Sequence, residues 1–231
     1  MAVSRAAVAA ASIAAGPAIA GDLPANWQAL LRERLAAEPD HAPQHWRLGG
    51  AAPALTSALR ASFPSEIQPA AVLLPLLERD GEPYLLLTVR ASHLRHHAGQ
   101  ISFPGGQFAA GETDARAVAL RETQEEIGIA PAFIEALGFL PDHVVLTGFR
   151  ITPMVGLLRP GFVLSVDRSE VAEIFELPLR ALFDAANYQE TRRTLRGIEV
   201  TLRDLNFGGH NIWGATAGIL AALCELLAGA A

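Results

Sequence analysis

The chain predicts an α/β domain in which strands and helices do not alternate, and three observations carry that expectation. Two apolar runs, residues 71–77 and 84–89, flank Arg79-Asp80-Gly81-Glu82-Pro83 and read as strand, turn and strand. A glycine turn at residues 105–106 leads into a helix with a concentrated acidic face. The later segments follow as further strands and a closing helix, not as strand–helix repeats, which disfavours a doubly wound parallel sheet. With 231 residues, 51% of them hydrophobic, the chain can bury one substantial core.

Met1 to Ala20 is alanine-rich, carries one early cation (Arg5), and ends Ala18-Ile19-Ala20-Gly21 in the manner of a signal-peptide cleavage site. Alanine is only weakly apolar and Gly16-Pro17 breaks the run, so residues 1–25 read as a disordered or signal-like extension. Residues 26–38 predict a short amphipathic helix through Trp27, Leu30, Leu31 and Leu35, and residues 43–64 a linker with one helical turn. The main domain then spans 67–229. After the first strand pair come a short strand at 101–103, a helix over 114–127, and strands at 133–140 and 150–158 around a loop at 141–148. A strand at 170–176 precedes a helical turn or two at 178–185. A hairpin over 188–195 and 198–205 turns at Arg196-Gly197, and an apolar, buried helix closes the chain at 212–227.

The helix over 114–127 carries the chemistry. Glu122, Glu125 and Glu126 lie at i, i+3 and i+4, so their carboxylates share a face. Like charges at that spacing repel by roughly 0.2–0.5 kcal/mol per pair. A hard divalent cation reverses that cost, because carboxylate oxygens suit Mg²⁺ or Mn²⁺. Glutamates at helical spacing are more often a solvated face, and the surroundings favour the sharper reading. Ala117, Leu120, Thr123 and Ile127 are expected on the opposite, core-facing side. Thr113 or Asp114 can cap the start and Gly128 the end, and Gly105 and Gly106 let backbone N–H groups approach an anion. Arg121 is expected to face away from the trio and to orient the glycine loop or a neighbouring carboxylate.

This segment resembles the Nudix box: a glycine, a glutamate six positions on, then Arg-Glu-x-x-Glu-Glu-x-Gly. Gly106, Glu112, Arg121, Glu122, Glu125, Glu126 and Gly128 supply the types. Eight residues separate Glu112 from Arg121 where the box has seven, so counting back from Arg121 lands on Thr113, between Glu112 and Asp114. A second signature adjoins it. Leu86-Leu87-Thr88-Val89-Arg90, Arg95, Gly99 and Phe103-Pro104-Gly105-Gly106 are similar to the motif of the coenzyme A diphosphatase branch, with Ala91 where serine is usual. Glu170-Val171, Phe175, Pro178-Leu179 and residues 212–220 also resemble that branch.

The resemblance implies the Nudix fold, a mixed β-sheet sandwiched between α-helices, with the Nudix domain over residues 67–229. It implies a metal-dependent diphosphatase in which Glu122, Glu125, Glu126 and Arg121 are catalytic. Glu122, Glu125, Glu126 and Glu112 would hold Mg²⁺ or Mn²⁺, and Arg90, Arg95, Gly105 and Gly106 would contact substrate. The substrate implied is coenzyme A or an acyl derivative; the alternative is another nucleoside diphosphate derivative, such as a dinucleotide, nucleotide sugar or oxidised nucleotide. Glu126, Glu170 and Glu173 are candidates for removing the proton of the attacking water. A binding module that has lost catalysis would typically lack box glutamates, and a structural metal-stabilised helix would hydrolyse nothing.

A net charge of −6 argues against a nucleic-acid partner. No uninterrupted apolar stretch is long enough to span a bilayer, and a cytoplasmic location, with a homodimer compatible, is expected. The single cysteine, Cys224, reads as a small buried residue. His93, His96 and His97 lack a cysteine or fourth ligand nearby and read as solvated or hydrogen-bonded side chains rather than as a zinc site.

Overall fold

The two apolar runs around Asp80-Gly81 form the hairpin on which the sheet is built. In the computed structural model, which describes residues 21–48, 66–145, 147–195 and 198–229, β1 (Gln68–Arg79) pairs antiparallel with β2 (Glu82–Arg90), Arg79 standing opposite Glu82. The two strands stay together only near that turn. Further out, Ala70–Val72 of β1 pair with β4 (Gly105–Gln107), and Thr88–Val89 of β2 pair with β3 (Ile101–Ser102). Phe103-Pro104 fills the fork between them, where the Leu73 N–H donates to the Pro104 carbonyl at 2.9 Å. The glycine turn therefore lies where β1 and β2 diverge.

On the other edge of β1, β7 (Phe149–Leu158) runs parallel, and β5 (Ile134–Phe139) and β6 (His143–Val145) pair antiparallel with β7. β8 (Val171–Pro178) borders β2. The result is one mixed eight-stranded sheet, with β9 (Tyr188–Leu195), β10 (Ile198–Phe207) and β11 (His210–Ile212) forming a separate three-stranded one.

Side chains alternate across the long strands, and each face has its own core. On one face α2 (Ala115–Ile127) packs Val118, Ala119 and Ile127 against Ala71, Leu73, Leu86 and Met154. On the other, α1 (Trp27–Arg34) and α3 (Gly214–Ala228) cover Leu74, Leu76, Leu85 and Leu87. Trp27, Leu31 and Leu35 enter that second core together with Leu223 and Cys224, so the N-terminal helix is packed into the domain. Ala36 bridges to Phe139 and Arg47 to His143, carrying the segment after α1 along the sheet. Among the described residues, no helix is long and apolar enough to cross a membrane.

Several expectations change. Ala117 is exposed; the buried stripe of α2 is Ala115, Val118, Ala119, Thr123 and Ile127, a run at i, i+3 and i+4 spacing that leaves Ala117 to one side. α1 stops at Arg34, short of residue 38. The predicted loop 141–148 contains β6, and β11 adds a strand, both too short to show periodicity. Residues 1–20, 49–65 and the Arg196-Gly197 turn lie outside the described residues.

Candidate active site

The site begins with local structure at the two ends of α2. Asp114 caps its start, accepting from the Arg116 N–H at 2.8 Å, and Gly128 ends it at φ 78°, a left-handed position that favours glycine. Past that end, the chain 165–167 supplies donors to carbonyls that the helix leaves unpaired. The Ser165 N–H donates to Ile127 at 3.0 Å and the Asp167 N–H to Glu126 at 2.9 Å. The Glu170 carbonyl then accepts from the Ala91 N–H at 2.8 Å, fixing Glu170 beside the end of β2.

The three glutamates occupy graded environments. The Glu125 side chain is 59% exposed, Glu122 17% and Glu126 4%. Burial raises the Glu126 carboxyl to about 8, opposed by the Arg90 charge and the Gly105 N–H and reinforced by the like charges of Glu170 and Glu122. Burial also raises Glu122, against its bond to Arg121. Glu122 lies against the glycine turn: a Cβ on Gly106 would fall 2.5–2.6 Å from its carboxyl atoms, so only glycine allows this approach. The Gly105 N–H donates to Glu126 Oε2 at 3.3 Å.

Arg121 does not face away from the trio as expected. Its Nη1 donates to Glu122 Oε1 at 2.7 Å and to Glu125 Oε2 at 2.9 Å. Its Nε and Nη2 grip both oxygens of Glu112 at 2.9 and 3.0 Å, and Nη2 also approaches the Gln107 carbonyl at 3.4 Å. The orienting part of the expectation holds, since Glu112 and the glycine loop are both engaged. The structure also resolves the extra residue of the box. Glu112 reaches Arg121, Asp114 caps the helix, and Thr113 is exposed. The Arg121 bond and the Ala109 N–H hold the Glu112 carboxyl below the usual carboxylate range.

Arg90 comes to the cluster, its Nη1 3.8 Å from Glu126 Oε1. Arg95, His93 and His96 are exposed, and His97 bonds Gln100 at 2.8 Å. Glu170 is brought near Glu122 and Glu126, whereas Glu173 pairs with His210 at 3.5 Å, beside the stacked Phe175–His210 rings. The clamp of residues 165–167 on α2 had no signature in the sequence.

The donor set is all carboxylate oxygen, and a buried carboxylate pushed up to about 8 favours a nearby cation, so the residues fit a hard divalent ion. Among the described residues no three His, Cys, Asp or Glu side chains are gathered in a metal-holding arrangement. Arg121 occupies one oxygen each of Glu122 and Glu125.

The site is thus a glycine turn in a forked mixed sheet, closed by a carboxylate-bearing helix, in a domain of the α/β class. The NUDIX domain profile matches residues 67–197, more than half of the chain. An uncharacterized Nudix hydrolase NudL of Enterobacter sp. (strain 638) is 40% identical over 151 residues, covering 65% of this chain and 78% of that protein. The NudL of Escherichia coli O7:K1 has the same identity and coverage. Among solved structures, a C. elegans Ap4A hydrolase binary complex is similar at 19% identity and TM-score 0.41, covering 49% of this chain and 81% of that one. The NUDIX domain of Shewanella oneidensis NrtR complexed with ADP ribose is similar at 18% identity and TM-score 0.40, covering 52% and 77%. The chain belongs to the Nudix family, as a hydrolase acting on acid anhydrides in phosphorus-containing compounds. Enzymes of this family generally use divalent cations.

Proposed function

We propose that the enzyme cleaves the diphosphate bond of coenzyme A or an acyl-coenzyme A, giving 3′,5′-ADP and 4′-phosphopantetheine or its acyl form. The observation that carries this reading is the junction of two signatures at one place. Arg90, from the coenzyme A diphosphatase-like motif, lies 3.8 Å from Glu126 of the box, and the shared Gly105-Gly106 turn abuts both Glu126 and Glu122.

Glu122, Glu125 and Glu126 would hold Mg²⁺ or Mn²⁺, while Glu112, with both oxygens on Arg121, keeps that guanidinium in place. When bound, the cation neutralises diphosphate oxygens and lowers the pKa of a water. Arg95, exposed just before the glycine turn, offers a guanidinium fork to phosphate. Arg121 acts through the carboxylates it bridges. Glu170, exposed and electrostatically coupled to Glu122 and Glu126, is assigned to accept the proton of the attacking water. The same reading takes a small-molecule substrate as the partner, with no nucleic acid or membrane, in the cytoplasm.

Coenzyme A, acetyl-coenzyme A, ADP-ribose, diadenosine tetraphosphate and 8-oxo-dGTP, each incubated with Mg²⁺ or Mn²⁺ and resolved by mass spectrometry, test the assignment. Release of 3′,5′-ADP from coenzyme A in clear preference to turnover of the others is expected. Hydrolysis of another member with coenzyme A left intact would replace this substrate by that one.

A further inference from the structure

We infer that Arg90 is a positioning residue, whose guanidinium holds the Glu126 carboxylate against the glycine turn instead of binding substrate phosphate. The inference rests on the phosphoanhydride chemistry of the site and not on coenzyme A as substrate.

The backbone around Arg90 is built for placement. Along the β2–β8 pair the register shifts between Val89, opposite Glu173, and Arg90, opposite Val171. A shift of that kind leaves one extra residue, Ala172, on β8 and redirects the side chains beside it. The Arg90 N–H donates to Gln100 at 2.9 Å and its carbonyl accepts from Gly99 at 3.1 Å, closing the base of the 91–99 loop. Neither end of the residue is free to drift.

The side chain is half-buried, with its Nε out of solvent. It is 26% exposed, and its Nε is buried with no hydrogen-bond partner among the described residues. Its nearest charged group is Glu126, approached on Oε1, while the Gly105 N–H takes Oε2. The carboxylate is thus held from two sides. Remove Arg90, and the charges left facing Glu126 are Glu122 and Glu170, both repulsive. Arg95, exposed five residues on, is the better placed arginine to meet an incoming diphosphate.

A carboxylate misplaced by about 1 Å costs on the order of 10²-fold in rate without a matching loss of ground-state binding. The test compares wild type, Arg90→Ala and Arg90→Lys by metal-free crystal structures at a pH above 8, where Glu126 is ionised, and by steady-state kinetics with Mg²⁺, using coenzyme A and ADP-ribose as substrates. In Arg90→Ala, Glu126 Oε2 should leave the Gly105 N–H, and kcat should fall about 10–100-fold with KM within about threefold. Arg90→Lys, which keeps the charge and is the variant to rely on if the alanine protein misfolds, should retain the carboxylate position and recover most of kcat. An unmoved Glu126 in Arg90→Ala, or a KM raised tenfold or more at unchanged kcat in either variant, overturns the proposal. Wild-type turnover of ADP-ribose but not of coenzyme A would strike the substrate assignment alone and leave this test intact. If wild type cleaves neither, the crystallographic comparison decides.

Discussion

The two long helices on opposite faces of the sheet make an instructive contrast. α2 has 13 residues and α3 has 15, and each ends at a left-handed glycine, Gly128 and Gly229. Their buried content differs in kind. α3 buries Ile219, Leu220, Leu223, Cys224 and Leu227, and its one carboxylate, Glu225, pairs with Arg47 at 3.2 Å near the rim. α2 buries an apolar stripe too, yet it also drives Glu126 and most of Glu122 out of water, opposite Arg90 and Arg121. Burying a carboxylate opposes folding unless a charge or donor answers it. The sheet face under α3 is therefore organised for cohesion, and the face under α2 holds a strained electrostatic arrangement that a divalent cation would relieve.

Changes on α2 should damage chemistry more than stability, and changes around α3 should do the reverse. The largest effect is expected for Glu126→Gln, which should cut turnover by about 10²–10³-fold or more while the protein still folds, as read by single-turnover assay and circular dichroism. The same variant should remove a pH dependence of the metal-free protein. The folded carboxyl titrates near 8, above its unfolded value, so the native state binds the extra proton in between. Stability is then fullest below the unfolded value and declines as pH rises towards 8; urea melts across that window should show the slope in wild type and lose it in Glu126→Gln.

Leu223→Ala, at a fully buried position on α3, should destabilise the fold by about 2–5 kcal/mol and leave KM unchanged in the folded fraction. A large KM change would mean that the two faces are coupled.

His143 sharpens the contrast with a titration of opposite sign. Its ring is buried between the Pro141 carbonyl, 3.1 Å from Nδ1, and the backbone of Gly218 on α3. Burial lowers its pKa to about 4. The unfolded chain therefore binds more protons between about 4 and 6.5, and stability present above that window should fall by about 3 kcal/mol as pH drops through it. Replacing His143 by glutamine should flatten the acid limb; an unchanged limb would assign acid sensitivity elsewhere.

The smallest effect is expected from Gly106→Ala. The new methyl would displace the Glu122 carboxylate and lower kcat about 10-fold, with a change of roughly 1 kcal/mol or less in stability.

Local order in this protein was legible wherever chain neighbours decide it. The box helix, its Asp114 and Gly128 ends, the hairpin at Asp80-Gly81 and the closing helix all follow from residue types a few positions apart. Three-residue strands such as β6 and β11 did not, since a segment of that length pairs because a partner strand is present and leaves no period to read. The membership of the acidic cluster was equally readable, as were the glycines beside it.

What spacing could not rank was the exposure of that cluster. Glu125 and Glu126 are adjacent in the chain, yet one side chain is 59% exposed and the other 4%. That difference comes from the β1–β2 fork, the Arg90 register shift and the 165–167 clamp, contributed by segments far apart in sequence. Spacing alone allows Arg121 to meet Glu125, four residues on, but not Glu122 beside it, since i, i+1 side chains do not share a face; Glu112, from the loop before the helix, takes the other side of the guanidinium. By itself the sequence determined the helices, the long strands and the kinds of atom brought to the site. Tertiary structure decided which carboxylate loses water and which arginine answers it, because desolvation and charge pairing depend on groups that only folding brings together.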